Sequence, residues 1–198
     1  MTITLNGNGT ITGLSAGGLP TGSVTSATLA TGLASQGITM TQQWRLTSNV
    51  DLTDSDNDTT FTSNWESVDT DSAGTIGSGL TNSSGIFSFP STGIYLINAH
   101  SAVESQWPDT TSTIWGIRLR INTTTNNGTY SEAAMGQASI SMNPTQLAEV
   151  NCQHIFDVTN TSTHKFKISG ESYVDTTTFL GDTGTSRTGF YVIRLGDT

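Results

Sequence analysis

Between Trp115 and Asn122 the chain reads WGIRLRIN, with an apolar side chain at every second position. Trp115, Ile117, Leu119 and Ile121 share one face of an extended strand; Gly116, Arg118, Arg120 and Asn122 share the other. The same two-residue rhythm recurs at Val150, Cys152, His154, Phe156 and Val158, opposed by Asn151, Gln153 and Asp157. Phe166 and Ile168 alternate with Lys165 and Lys167. No stretch carries a sustained apolar stripe at the helical period, and turn-forming clusters punctuate the short alternating segments. Many antiparallel strands spaced this way predict an all-β sandwich or jelly roll.

Such a sandwich has little to fill it. Hydrophobic residues are 33% of the 198, while 61 residues are Thr or Ser. Phe, Leu, Ile and Val together reach about 21%, near the level below which highly charged chains stay unfolded. Charged residues are only 12%, so the electrostatic drive to disorder is missing. A polar, weakly charged chain with a thin core gains from burying more surface against copies of itself.

Charge narrows the partners. The formal net charge is −9 and no basic block occurs, so phosphate-backbone binding through counterion release is not expected. No apolar run approaches the roughly 18 residues of a membrane-spanning helix. The N-terminus MTITLNGNGT has neither the basic nor the apolar part of a secretion signal. Cys152 is the single cysteine and has no intrachain partner for a disulfide.

Composition changes near residue 40. Residues 1–40 hold no charged and no aromatic side chain, and are expected to form a short extended anchor. Within them TITL-NGNG-TITG reads as two short segments around a turn, followed by a Gly/Pro break at residues 16–22. Val24, Leu29 and Leu33 are too few to make a core in one chain. Residues 41–198 are expected to form one β domain.

Within that domain, Gly85 to Tyr95 reads GIFSFPSTGIY. The pattern Gly85-x-Phe87-x-x-Pro90-x-x-Gly93-x-Tyr95 resembles the signature of the C1q/tumour-necrosis-factor superfamily, a compact trimeric jelly roll. Two more pieces follow in the family's order. One is the Asn127-Gly128 hairpin turn after WGIRLRIN; the other is the closing segment Thr188-Gly189-Phe190-Tyr191-Val192-Ile193. Residues 147–168 resemble the long hairpin that precedes the last strand. The resemblance covers roughly residues 41–198 and implies a C1q/TNF-like homotrimer. No Gly-X-Y repeat lies ahead of residue 41, which sets the chain apart from the collagen-stalked branch.

The first forty residues resemble the Gly/Thr-rich leaders of tailed-bacteriophage fibres and capsid-surface proteins. That likeness implies a virion structural protein, non-enzymatic and without cofactor, joined to other virion proteins by its N-terminal segment. Forty extended residues reach at most about 140 Å, which suits a capsid decoration or short head spike better than a long fibre. The alternative is the receptor-binding tip of a tail fibre, holding host surface glycan or protein in the head's loops. There Trp107, in the loop SQWPDTTST, is the ligand-contact candidate, an aromatic able to stack on a sugar.

Other constellations are weaker. Gly13-Leu14-Ser15-Ala16-Gly17 has nucleophile-elbow spacing without the strand–turn–helix setting that chemistry needs. Asp54, Asp56 and Asp58 present alternate carboxylates suited to Ca²⁺, which some members of the resembled superfamily bind. The loop then lacks the Gly and Glu that an EF-hand requires, having Thr59 and Trp65 there. Cys152 and His154 share a strand face, as packing residues or as part of a metal site on a three-fold axis. Arg118 and Arg120 are expected on a solvated face, or paired with a neighbouring protomer's acids. Glu104, Asp109, Glu132 and Glu149 are the carboxylates open to a glycosidase-like pairing, with nothing in the sequence to pair them. The sequons at Asn122 and Asn160 follow from a Thr-rich composition.

Overall fold

The computed structural model describes residues 4–5, 11–12, 37–52, 57–105, 114–141, 146–173 and 177–198. The chain divides into two units, Met1–Gly37 and Ile38–Thr198. In the first, β1 (Thr4–Leu5) pairs antiparallel with β2 (Ile11–Thr12), the two segments flanking the Asn-Gly stretch.

The second unit is an all-β sandwich, and its described residues contain no helix. One sheet runs β11 (Ser131–Ser141), β10 (Ile114–Thr124), β13 (Lys165–Ser172), β8 (Ile86–Ser88) and β7 (Thr81–Ser83), with β5 (Thr59–Thr60) also on β13. The other runs β4 (Val50–Leu52), β14 (Thr177–Phe179), β9 (Gly93–Ser105), β15 (Thr188–Gly196), β3 (Thr41–Leu46) and β6 (Trp65–Ser67). Along its whole length β9 also pairs with β12 (Gln146–Val158). All named pairings are antiparallel, and β14 and β15 take successive stretches of β9's remaining edge.

The alternating strands lie as their pattern requires. Ile117, Leu119 and Ile121 are buried, as are Val150, Cys152, Phe156 and Val158, while His154 is half-buried. Thin composition does not leave the interior thin, because the aromatic side chains are gathered there. All seven phenylalanines are buried. Phe87 stands at the centre, its ring centroid 4.6 Å from Phe190, 5.2 Å from Phe166, 5.3 Å from Trp44 and 5.4 Å from Trp65. Phe87 and Phe166 belong to one sheet, Phe190 and Trp44 to the other. The cluster therefore joins the layers, each buried ring contributing about 2–3 kcal/mol of transfer free energy.

Residues 147–168 depart from the expected hairpin. Strand β12 pairs with β9, whereas β13 pairs with β10 and β8, so the turn between them carries the chain from one sheet to the other. Both strands have an apolar face, and facing each other across the core buries both. The crossing turn closes on Asn160, whose carbonyl accepts from His164 N at 2.8 Å and whose Oδ1 accepts from Ser162 N at 2.9 Å. Strands β10 and β11 do form the hairpin expected around Asn127-Gly128, with Asn127 at φ 57°.

Strands β7 and β8 form a two-residue hairpin on Ser84 and Gly85, at φ 51° and 77°. Both positive angles belong to the turn that matches strand twist. A Cβ at Gly85 would collide with the carbonyl of Phe61, whereas one at Gly74 would meet nothing. Gly85→Ala is therefore expected to cost at least about 1–3 kcal/mol by strain alone. Gly74→Ala is expected to be nearly neutral. Denaturant unfolding of the two variants measures the contrast, and equal midpoints would contradict it.

Candidate functional site

The family-pattern residues are scaffold. Phe87, Tyr95 and Phe190 are fully buried, and Tyr95 Oη donates to the Ser91 carbonyl at 2.9 Å across the turn that Pro90 opens. Pro90 is exposed. Gly93 and Gly189 lie where neighbours leave no room for a side chain, against Arg194 and the Trp44 carbonyl respectively. Gly93 and Tyr95 belong to β9 and Gly189 and Phe190 to β15, adjoining strands of a sheet with an exposed outer face.

That face is the outer side of the sheet β12–β9–β15–β3. Register aligns its side chains in rows. Ile193, Leu96 and Ile155 form one row, Tyr191, Asn98 and Gln153 the next, and Gly189, His100 and Asn151 the third. Ile155 is 60% exposed and Leu147, further along β12, is 70% exposed. The inner side of this sheet is already filled by the core, so the aliphatic row on its outer side is a candidate contact surface.

Beyond the third row the face sinks into two adjoining cavities. One, about 320 Å³, is lined by His100, Glu149, Asn151, Ser186 and Arg187 among others. The second, about 260 Å³, adds Leu147 and Leu180 and shares Ala102, Glu149 and Arg187. His100 Nε2 lies 3.3 Å from Ser186 Oγ. Burial pulls the His100 imidazole below the ordinary histidine range, while the Ser186 backbone and the Glu149 charge oppose that shift.

The outer side of the other sheet holds a different arrangement. Arg118 and Arg120 are neither solvated nor waiting for another protomer; their partners are acids of the same chain. Glu171 accepts from Arg118 Nη1 at 3.1 Å and also from Arg120 Nη2. Arg120 Nε donates to Glu132 at 2.7 Å and its Nη1 to Asp58 at 3.1 Å. The Arg118 guanidinium lies 4.8 Å above the Tyr173 ring centre. Glu171 and Arg120 are buried, so local sequence patterning, which places a charge outside, missed a network whose members are spread from residue 58 to residue 171.

Other sequence candidates separate. Asp58 is committed to Arg120, and Asp54, Asp56, Trp107, Asp109 and Ser15 lie outside the described residues. No group of three or more potential His, Cys, Asp or Glu metal ligands occurs among the described residues. Cys152 is buried, and burial pushes its thiol up to about 11, so it stays protonated at neutral pH. Glu132 and Glu149 stand on different sheets, whereas Glu104 and Glu149 share the long sheet's outer face in neighbouring rows. Asn122 is buried and its Nδ2 donates to Ser169 Oγ at 2.7 Å.

No protein-family model and no curated protein matches the chain. Solved structures do. An Eiger TNF from S. frugiperda superposes with a TM-score of 0.57 at 10% identity, over 82% of this chain and 96% of that one. Murine APRIL gives 0.50 at 13% identity, over 79% and 98%. At these identities the likeness concerns the fold: the head is a TNF-like jelly roll.

The ion network supplies a test of its own. Removing one member of a buried pair leaves an uncompensated charge, typically costing about 3–5 kcal/mol. Glu171→Ala leaves Arg118 without its carboxylate and Arg120 with Glu132 and Asp58, so it is expected to lower stability by about 1–3 kcal/mol, less than a fully broken buried pair would cost. Thermal unfolding checks this, and a variant as stable as the parent would show that the network is not a structural clasp.

Proposed function

We propose that this chain is a homotrimeric, non-enzymatic structural protein of a bacteriophage virion, its jelly-roll head attached through the N-terminal segment, residues 1–40, as a capsid decoration or short spike. The observation that carries self-association is the row Ile193–Leu96–Ile155 on the outside of the long sheet. Covering three such aliphatic side chains in each of three protomers removes apolar surface that the protomer leaves in water. The TNF-like fold supports this arrangement, since the superfamily that the sequence resembles is built from trimers. The uncharged, non-aromatic composition of residues 1–40, with its likeness to phage leaders, supports the virion role. A protein of this kind works through contacts, bridging shell subunits or presenting a surface. The engagement of Asp58, Glu132 and Glu171 by arginines fits a head whose outer-sheet carboxylates hold structure together.

Light scattering of the full chain is expected to give three times the 20.9 kDa protomer mass. Ile155→Asp places a charge in the row at an already exposed position, so it is expected to give a folded protomer with at least a tenfold weaker association. A parent chain that stays a single protomer at micromolar concentration would remove the trimer.

The anchor is tested separately. Deleting residues 1–36 is expected to abolish co-sedimentation with capsids while leaving head unfolding unchanged. Undiminished capsid binding by the truncated chain would refute the anchoring role.

A further inference from the structure

The residue His100 sits where a second copy would cover it. It occupies the third row of the long sheet's outer face, two residues along β9 from Asn98 and four from Leu96, so all three point the same way. It also forms part of the wall of the 320 Å³ cavity. We propose that the His100 cavity makes self-association of the head acid-sensitive: with the imidazole neutral the face accepts a second copy, and with it charged the face rejects that copy. This rests on the reading that the head associates through this face.

The surroundings give a charged imidazole poor compensation. From β12, Glu149 lines the cavity and Asn151 stands directly opposite His100. From the segment leading into β15, Ser186 Oγ contacts the ring and Arg187 lines the cavity, its Nε 3.9 Å from Asp182 Oδ2. On the far side of Gly189, strand β3 contributes Arg45, itself buried and engaged by Glu66 at 2.5 Å. Glu104 lies on the same face of β9, four residues on.

Glu149 and Arg187 both line the cavity, so its wall carries one charge of each sign before any proton arrives. In the open protomer, water in the cavity solvates the imidazolium. Once a second copy seals the cavity that water is lost, and the charge is left in a wall that already holds Glu149 and Arg187.

The sign follows from linkage. Burial lowers the imidazole's proton affinity in the protomer, and sealing the cavity lowers it further. The dissociated form then binds more protons than the assembly, so association is complete above the protomer's lowered imidazole value and weakens as pH falls through that value, on the acid side of the ordinary histidine range. Each histidine contributes up to about a tenfold rise in apparent dissociation constant per pH unit, and three contribute up to about a thousandfold.

Sedimentation velocity of the full chain between about pH 8 and pH 5 tests this, with His100→Gln, His100→Asn and His154→Gln as variants. The parent and His154→Gln are expected to dissociate on acidification, and the two His100 variants to stay associated. A parent assembly that persists at pH 5, or His100 variants that dissociate as the parent does, would overturn the proposal while leaving the trimer standing. A single protomer at pH 8 would instead remove the trimer reading, and this proposal with it. The slope of the parent's dissociation constant against pH needs no variant: proton uptake near one per protomer supports the role of His100, and zero slope overturns it.

Discussion

The head depends on the packing of Phe87 against Phe166 in its own sheet and against Phe190 and Trp44 in the facing one. A chain with hydrophobic residues at only 33% cannot line two whole sheets with aliphatics. It places its rings where the layers meet instead, and lets Thr and Ser take the remaining strand positions. β-branched Thr suits an extended backbone whether or not it is buried. Hydroxyls that do fall inside pair with each other, as Ser101 with Thr188 and Ser172 with Thr177, both at 2.7 Å. The interior is thus small, ring-rich and satisfied in its hydrogen bonding at these points.

The two outer faces do different work. On the sheet containing β10 and β13, charge is turned inward upon the chain: two arginines pair with three acids, and Asp58 among them directly precedes β5. On the long sheet, apolar side chains point outward, and Ile155 and Leu147 are exposed among the described residues. The first face is finished within one chain. The second carries its outward aliphatics as one aligned row, and for that reason the proposed contact surface is placed there.

Much of the fold was legible because alternation is local. Ile117, Leu119 and Ile121 announce a strand and its buried side, and Gly85 and Gly93 mark positions that no side chain can occupy. Connectivity between sheets is not local. The pairing of residues 147–168 followed from which edge each strand found, and a hairpin and a crossover look alike in one dimension. The candidate site was less legible for a related reason. Ile155 and Leu147 break the polar phase of β12, yet an isolated aliphatic on a polar face carries no mark of purpose until Leu96 and Ile193 are aligned beside it. Arg120 was misplaced because its acids lie 12, 51 and 62 residues away in sequence.

A last consequence lies in the seam between β11 and β12. These strands belong to different sheets, yet Gly136 abuts the Asn151 carbonyl so closely that a methyl group could not be inserted. The sandwich is closed along that margin by backbone set against backbone, so any side chain at residue 136 would have to wedge the two sheets apart.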